Sequence, residues 1–135
     1  MRAKAFLDTN ILVYLYSIDE PKKQECAYKA IEEFDCITST QALNEFNNVC
    51  IKKLRMPVSE ICQSIDEISD ACLVSQIDET IIKKALVLHR DYGYSYYDCL
   101  MLSSALVYDC KYLLSEDLKD GQIIENSLTI VNIFA

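Results

Sequence analysis

Four carboxylates well separated along the chain, Asp8, Glu45, Asp98 and Asp117, are the side chains best suited to chemistry in this sequence. Held in one place, they would make an intensely negative pocket. Unit charges brought to about 4 Å repel by roughly 4 kcal/mol per pair at an effective dielectric of 20. Such a cluster persists at neutral pH only when cations neutralise it. An all-oxygen donor set without histidine suits Mg²⁺ or Mn²⁺ rather than zinc. One or two such ions activate water and stabilise attacking and leaving oxygens in phosphodiester hydrolysis.

No other constellation competes. His89 is the only histidine, and its place late in a helical stretch between Leu88 and Arg90 is accounted for by the helix dipole. The two glycines, Gly93 and Gly121, cannot furnish a P-loop, a dinucleotide fingerprint or a G-x-S-x-G nucleophile turn. The seven cysteines are odd in number, evenly spread and never spaced C-x-x-C, which reads as reduced, buried thiols and not a zinc site.

Each acid also has a plainer reading. Asp8 follows a short apolar strand over Ala3–Leu7, so it stands at the carboxyl edge where parallel sheets bind ligands; Asp8 or Asn10 also fits as the N-cap of a helix over Ile11–Tyr16. Glu45 lies in a helix that Thr40 caps and that runs to Leu54, about 120° from the middle of its apolar stripe and so at its margin, the usual setting of a solvated glutamate. Asp98 closes a capping-box spacing with Ser95, at the mouth of an apolar helix reaching Tyr108. Asp117 follows a strand over Lys111–Leu114, where a polar turn is ordinary.

The remaining elements alternate in the same way. A helix follows Pro21, with Ala27, Ala30, Ile31 and Phe34 at helical spacing, and a strand covers Cys36–Thr38. Val58–Ser69 is helical, Ala71–Ser75 a strand, and Asp78 caps a helix ending at Gly93. Glu116–Asn126 is mostly loop, and Thr129–Phe134 a fifth strand. This pattern predicts one α/β domain over 1–135, with a mostly parallel five-stranded sheet covered on both faces. Three of the four acids then share one sheet edge, and the fourth reaches it from a neighbouring helix.

Composition narrows the setting. The chain is 135 residues long, 51% hydrophobic and 25% charged, which is ordinary globular usage. It opens Met1-Arg2-Ala3-Lys4 and runs straight toward Asp8, and its apolar runs are short of a membrane span, so a cytoplasmic protein is expected. A net charge of −8 argues against a broad phosphate-binding surface. Basic residues are partly clustered, at Lys52-Lys53-Leu54-Arg55 and Lys83-Lys84, where a solvated helix end is the plain reading and nucleic-acid contact the alternative.

Taken as four blocks in register, the sequence resembles the PIN-domain ribonucleases, particularly the VapC-type toxins of toxin–antitoxin pairs. The blocks are Phe6-Leu7-Asp8-Thr9-Asn10-Ile11-Leu12, Ser39-Thr40-Gln41-Ala42-Leu43-Asn44-Glu45-Phe46, Ser95-Tyr96-Tyr97-Asp98-Cys99-Leu100-Met101, and Leu114-Ser115-Glu116-Asp117-Leu118-Lys119-Asp120-Gly121. The resemblance covers essentially the whole chain. It implies a three-layer α/β/α fold and cleavage of RNA with Mg²⁺ or Mn²⁺, leaving a 3′-hydroxyl and a 5′-phosphate. Asp8 and Asp98 would hold the main ion, with Glu45 and Asp117 completing the site or holding a second. Thr9 and Ser115 match positions that orient these carboxylates or a water, Asn10 is a further polar neighbour, and Asp120 is a secondary acid.

The same resemblance implies a homodimer silenced by a small antitoxin protein, a segment of which blocks the active-site groove; the stripes of helices Ile11–Tyr16 and Ala27–Phe34 are either part of that groove or plain core. The alternative is a catalytically silent PIN-like module that binds RNA or a protein partner. A phosphoacceptor receiver or an aspartyl-phosphate hydrolase would want a second acid close behind Asp8, where Thr9 and Asn10 stand instead.

Overall fold

The computed structural model describes all residues from Met1 to Ala135. The first strand, β1 (Lys4–Leu7), leads into the helices α1 (Thr9–Leu15) and α2 (Pro21–Glu33), then β2 (Asp35–Ser39). Next come α3 (Thr40–Lys52), α4 (Val58–Ala71) and β3 (Leu73–Ser75). The chain continues through α5 (Glu79–Tyr92), α6 (Tyr96–Val107) and β4 (Tyr112–Leu114), and ends with β5 (Ile123–Ile124) and β6 (Leu128–Val131).

The strands form one sheet in the order β3-β2-β1-β4-β6-β5, parallel except for β5. Successive strand residues point to opposite faces, yet Ala5, Phe6 and Leu7 of β1 are all fully buried. Both faces of the sheet are therefore covered, as a parallel sheet requires. Right-handed crossovers explain how. The sheet grows from β1 through β2 to β3 in one direction, which puts α1–α4 on one face. It then returns past β1 to β4, which puts α5 and α6 on the other. The helix contacts follow this division, with α1 against α2 and α3, α3 against α4, and α5 against α6.

That reversal places the topological switch point between β1 and β4. A crevice opens at such a point because the flanking connections leave to opposite faces. The bond from Asp8 N–H to the Leu114 carbonyl (3.1 Å) ties the two strand ends together there. On the other side Thr38 Oγ1 donates to the Leu7 carbonyl at 3.0 Å, so the end of β1 is held from both neighbours.

The sheet has six strands where the sequence pattern predicts five. The extra one, β5, lies inside the stretch read as loop and pairs antiparallel with β6, Ile123 opposite Thr129. Its turn puts Glu125 and Asn126 at φ values of 50° and 58°, in the left-handed region that glutamate rarely adopts, so no turn signal marks it. The last strand is also shorter than Thr129–Phe134, because the Asn132 side chain accepts from Phe134 N–H and turns the chain after Val131. The cap of α3 is Ser39, not Thr40: its Oγ accepts from Ala42 N–H at 3.1 Å. All seven cysteines are free, and burial pushes the thiols of Cys50 and Cys110 up to about 11 and about 12.

Candidate functional site

Asp8 is the most constrained of the acids. It caps α1, with Oδ1 accepting from Thr9 N–H at 2.7 Å, while Oδ2 accepts from Ser115 Oγ at 2.7 Å. The cap reading of Asp8 holds, and the same side chain lines the cavity formed with the other three acids. Only 7% of it is exposed, and burial is the main reason its carboxyl is pushed up to about 6. The two hydrogen bonds act the other way, and the nearby charges of Asp117 and Asp98 add to the rise.

Asp117 arrives from the loop after β4. Its backbone N–H donates to Ser115 Oγ at 3.1 Å, so Ser115 joins Asp8 to Asp117 through one hydroxyl. Asn10 Nδ2 donates to Asp117 Oδ2 at 3.0 Å, reaching across from the first turn of α1. Ser115 is fully buried, and its one hydroxyl holds the carboxylate of Asp8 and the backbone of Asp117 just beyond the ends of β1 and β4.

Glu45 and Asp98 approach from two helices. Glu45 is solvent-exposed on α3, as its position at the margin of the apolar stripe predicts. Gln41, one turn earlier, donates from Nε2 to Glu45 Oε2 (2.8 Å) and to the Tyr97 carbonyl (3.1 Å). This amide bridges α3 to the start of α6. Partial desolvation, then the charge of Asp98, raise the Glu45 carboxyl above its ordinary range, against the lowering effect of the Gln41 bond. Asp98 is half-buried in the first turn of α6. Its backbone N–H is capped by Ser95 Oγ at 3.2 Å, but its carboxylate makes no return bond. The capping box is half-used, and the carboxylate stays free.

All four acids line one cavity of about 380 Å³, together with Thr9, Asn10, Val13, Tyr14 and other side chains of α1 and α3. Two of the cavity-lining residues carry buried, unpartnered oxygens, Thr9 Oγ1 and Asn10 Oδ1, and a third such atom, Gln41 Oε1, belongs to the side chain bonded to Glu45. Orphaned oxygens beside an oxygen-only acid set fit a hard divalent cation and its water shell. No three histidine, cysteine, aspartate or glutamate side chains converge tightly enough to cage an ion by themselves. Asp120 stands apart from the cavity; its carboxylate accepts from Asn132 N–H at 2.8 Å and braces the turn after β6.

The structure adds a group that sequence reasoning does not single out. Tyr14 donates its hydroxyl to Glu116, and Lys23 reaches both the Tyr14 oxygen (3.0 Å) and Glu116 Oε2 (3.1 Å). Lys23 also lies 4.7 Å from the centre of the Tyr14 ring. This clamp fixes the residue preceding Asp117 to the face of α1 and closes one wall. The adjacency of Glu116 to Asp117 is its only trace in the sequence.

The profile of the family described as PIN domain matches residues 5–122. No curated protein matches the chain in sequence. Among solved structures, it resembles a toxin–antitoxin complex from Klebsiella pneumoniae (TM-score 0.73, 21% identity, covering 96% of this chain and 97% of that one). It also resembles VapBC2 from Rickettsia felis bound to a fragment of promoter DNA (0.68, 16%, 96% and 99%). A third is VapC20 from Mycobacterium tuberculosis, a toxin that cleaves the sarcin–ricin loop (0.64, 16%, 84% and 91%). At these identities the likeness concerns the fold. The profile spans most of the chain and includes every acid of the cavity, and the chain belongs to the PIN domain family.

Proposed function

We propose that this chain is a ribonuclease that uses Mg²⁺ or Mn²⁺, one ion or two, and that it serves as the toxin of a toxin–antitoxin pair. The observation that carries this reading is the meeting of Asp8, Glu45, Asp98 and Asp117, from four separate elements, on one cavity at the switch point of the sheet. Asp8 and Asp98 would hold the main ion, with Glu45 and Asp117 completing the site. When bound, the ion supplies Lewis-acid stabilisation of the charge that develops on a phosphodiester and eases the ionisation of water.

The chain's own residues do the rest. Ser115 and Thr9 N–H hold both oxygens of Asp8, so that carboxylate meets an ion without reorganising. Gln41 fixes Glu45, and the free carboxylate of Asp98 sits where Ser95 anchors the helix mouth.

A small antitoxin as partner is supported by the complexes among the structural neighbours, two of which pair a toxin with its antitoxin. Such a partner would block the acidic cavity, and an apolar groove separate from it, lined by Leu15 and Tyr16 at the end of α1, Tyr28 and Ile31 of α2 and Ile68 of α4, offers it further surface. A homodimer is part of the same proposal. The second reading is a PIN-like module that binds RNA or protein without cutting it, and the presence of all four acids at the cavity speaks against it.

One assay separates the two. The purified chain is incubated with defined RNAs under Mn²⁺, Mg²⁺ or EDTA. Cleavage that depends on the metal, and that falls at least about a hundredfold in Asp8→Asn and Asp98→Asn, is the expected result. Cleavage unaffected by either substitution would refute the assignment, and metal-dependent RNA binding with no cleavage would leave the silent module standing.

A further inference from the structure

Seven acids line the cavity: Asp8, Asp19, Glu20, Glu45, Asp98, Glu116 and Asp117. One basic side chain, Lys53, lines it with them. Lys23 lies nearby, but it is held by Glu116 and Tyr14. Lys53 is exposed, and its ammonium group makes no hydrogen bond or ion pair with any of these acids. A free cation facing a wall of carboxylates lacks a partner within the protein.

The geometry of α3 explains where Lys53 stands. Glu45, Val49 and Lys53 recur at intervals of four residues and all face the cavity. One helical ridge therefore carries an acid of the site and, eight residues on, a cation about 12 Å along the axis. The dipole of α3 favours a cation at its C-terminal end, and Lys52 in the last turn already meets that preference. The dipole favours Lys53 at that end as well, but of the two lysines only Lys53 lines the cavity.

From this arrangement we propose that Lys53 is a substrate-binding residue that takes a backbone phosphate of a single RNA strand flanking the scissile one. The inference rests on the ribonuclease reading and adds to it the direction of the strand's path, along the α3 ridge from Glu45 toward Lys53. It also resolves the charge problem raised by an acidic chain. Away from the reacting phosphate, where any ion would sit, Lys53 is the one cationic side chain that lines the cavity.

The test uses the full chain, a short single-stranded RNA of mixed sequence, and the variants Lys53→Gln, Lys53→Arg and Lys52→Gln. Steady-state cleavage is followed with Mn²⁺, and binding is followed by fluorescence anisotropy of the labelled RNA with Ca²⁺ replacing Mn²⁺. Lys53→Gln should raise KM and weaken binding about fivefold to tenfold, with kcat within about twofold of the parent. The slope of log affinity against log salt should become shallower by about 0.7, one phosphate contact on a single strand. Lys53→Arg should restore both, and Lys52→Gln should match the parent. Unchanged KM, binding and salt slope in Lys53→Gln, or equal losses in Lys52→Gln, overturn the proposal and leave the ribonuclease reading intact. If the parent chain binds RNA without cutting it, the ribonuclease reading falls and the binding arm alone decides on Lys53. A parent chain that binds no RNA overturns both.

Discussion

Asp8 illustrates how burial tunes one residue toward a task. Its carboxyl titrates at about 6 in the fold, against an ordinary 3.8, so the folded chain holds this proton more tightly than the unfolded one. Protonated Asp8 therefore favours folding below pH 3.8, and that contribution is lost as pH rises through about 6. A shift of this size is worth on the order of 3 kcal/mol. In urea unfolding of the metal-free chain between pH 4 and 7, Asp8→Asn should gain on the parent as pH rises, because it lacks this loss. Parallel curves for the two proteins would contradict the assignment. Ser115 acts on the same group: Ser115→Ala removes the hydroxyl that lowers the Asp8 carboxyl, so the stability difference should extend to higher pH.

Among the elements, the helix ends do the positioning. Ser95 caps α6 and sets the turn that carries Asp98, so Ser95→Ala should cost about 1 kcal/mol in chemical unfolding and also reduce cleavage. Gly93, at φ 77° and with open space where a Cβ would stand, ends α5 two residues earlier. Gly93→Ala should cost about 1 kcal/mol through backbone strain alone, with cleavage per folded molecule retained. The contrast between the two variants separates a cap that orients an acid from one that only stops a helix. The same elements show the reach and the limit of sequence reading. Ser95, Asp78 and Gly93 carry strong local signals and act as those signals imply. β5 carries none, since it is two residues long and exists through its pairing with β6.

For the whole molecule, the acidic cavity should make stability depend on divalent ions. Anything that binds only the folded state stabilises it by mass action, about 2.7 kcal/mol at a hundredfold excess over Kd. Thermal melts with Mn²⁺ should rise accordingly and return to the metal-free value with EDTA. Asp98→Asn should melt alike under both conditions. A melting temperature indifferent to Mn²⁺ in the parent chain would count against an ion in this cavity. The net charge of −8 works in the same direction, because a cation relieves self-repulsion that the fold otherwise bears.

The amino-acid order alone determined the alternation of strands and helices, both covered faces of the sheet, and the placing of Asp8 and Asp117 just beyond strand ends. These follow from local patterns of apolar residues, caps and turns, which act over a few positions. Glu45 was visible only through the resemblance of its block, because an exposed helix glutamate has no local signature. The tertiary structure decided what depends on contacts between remote residues: the shared hydroxyl of Ser115, the Gln41 bridge, and the bond from Tyr14 to Glu116 across 102 residues. It also decided against Asp120, whose carboxylate the closing hairpin uses for its own turn. Where the strand order reverses settles which side chains meet, and that reversal is a property of the packed sheet.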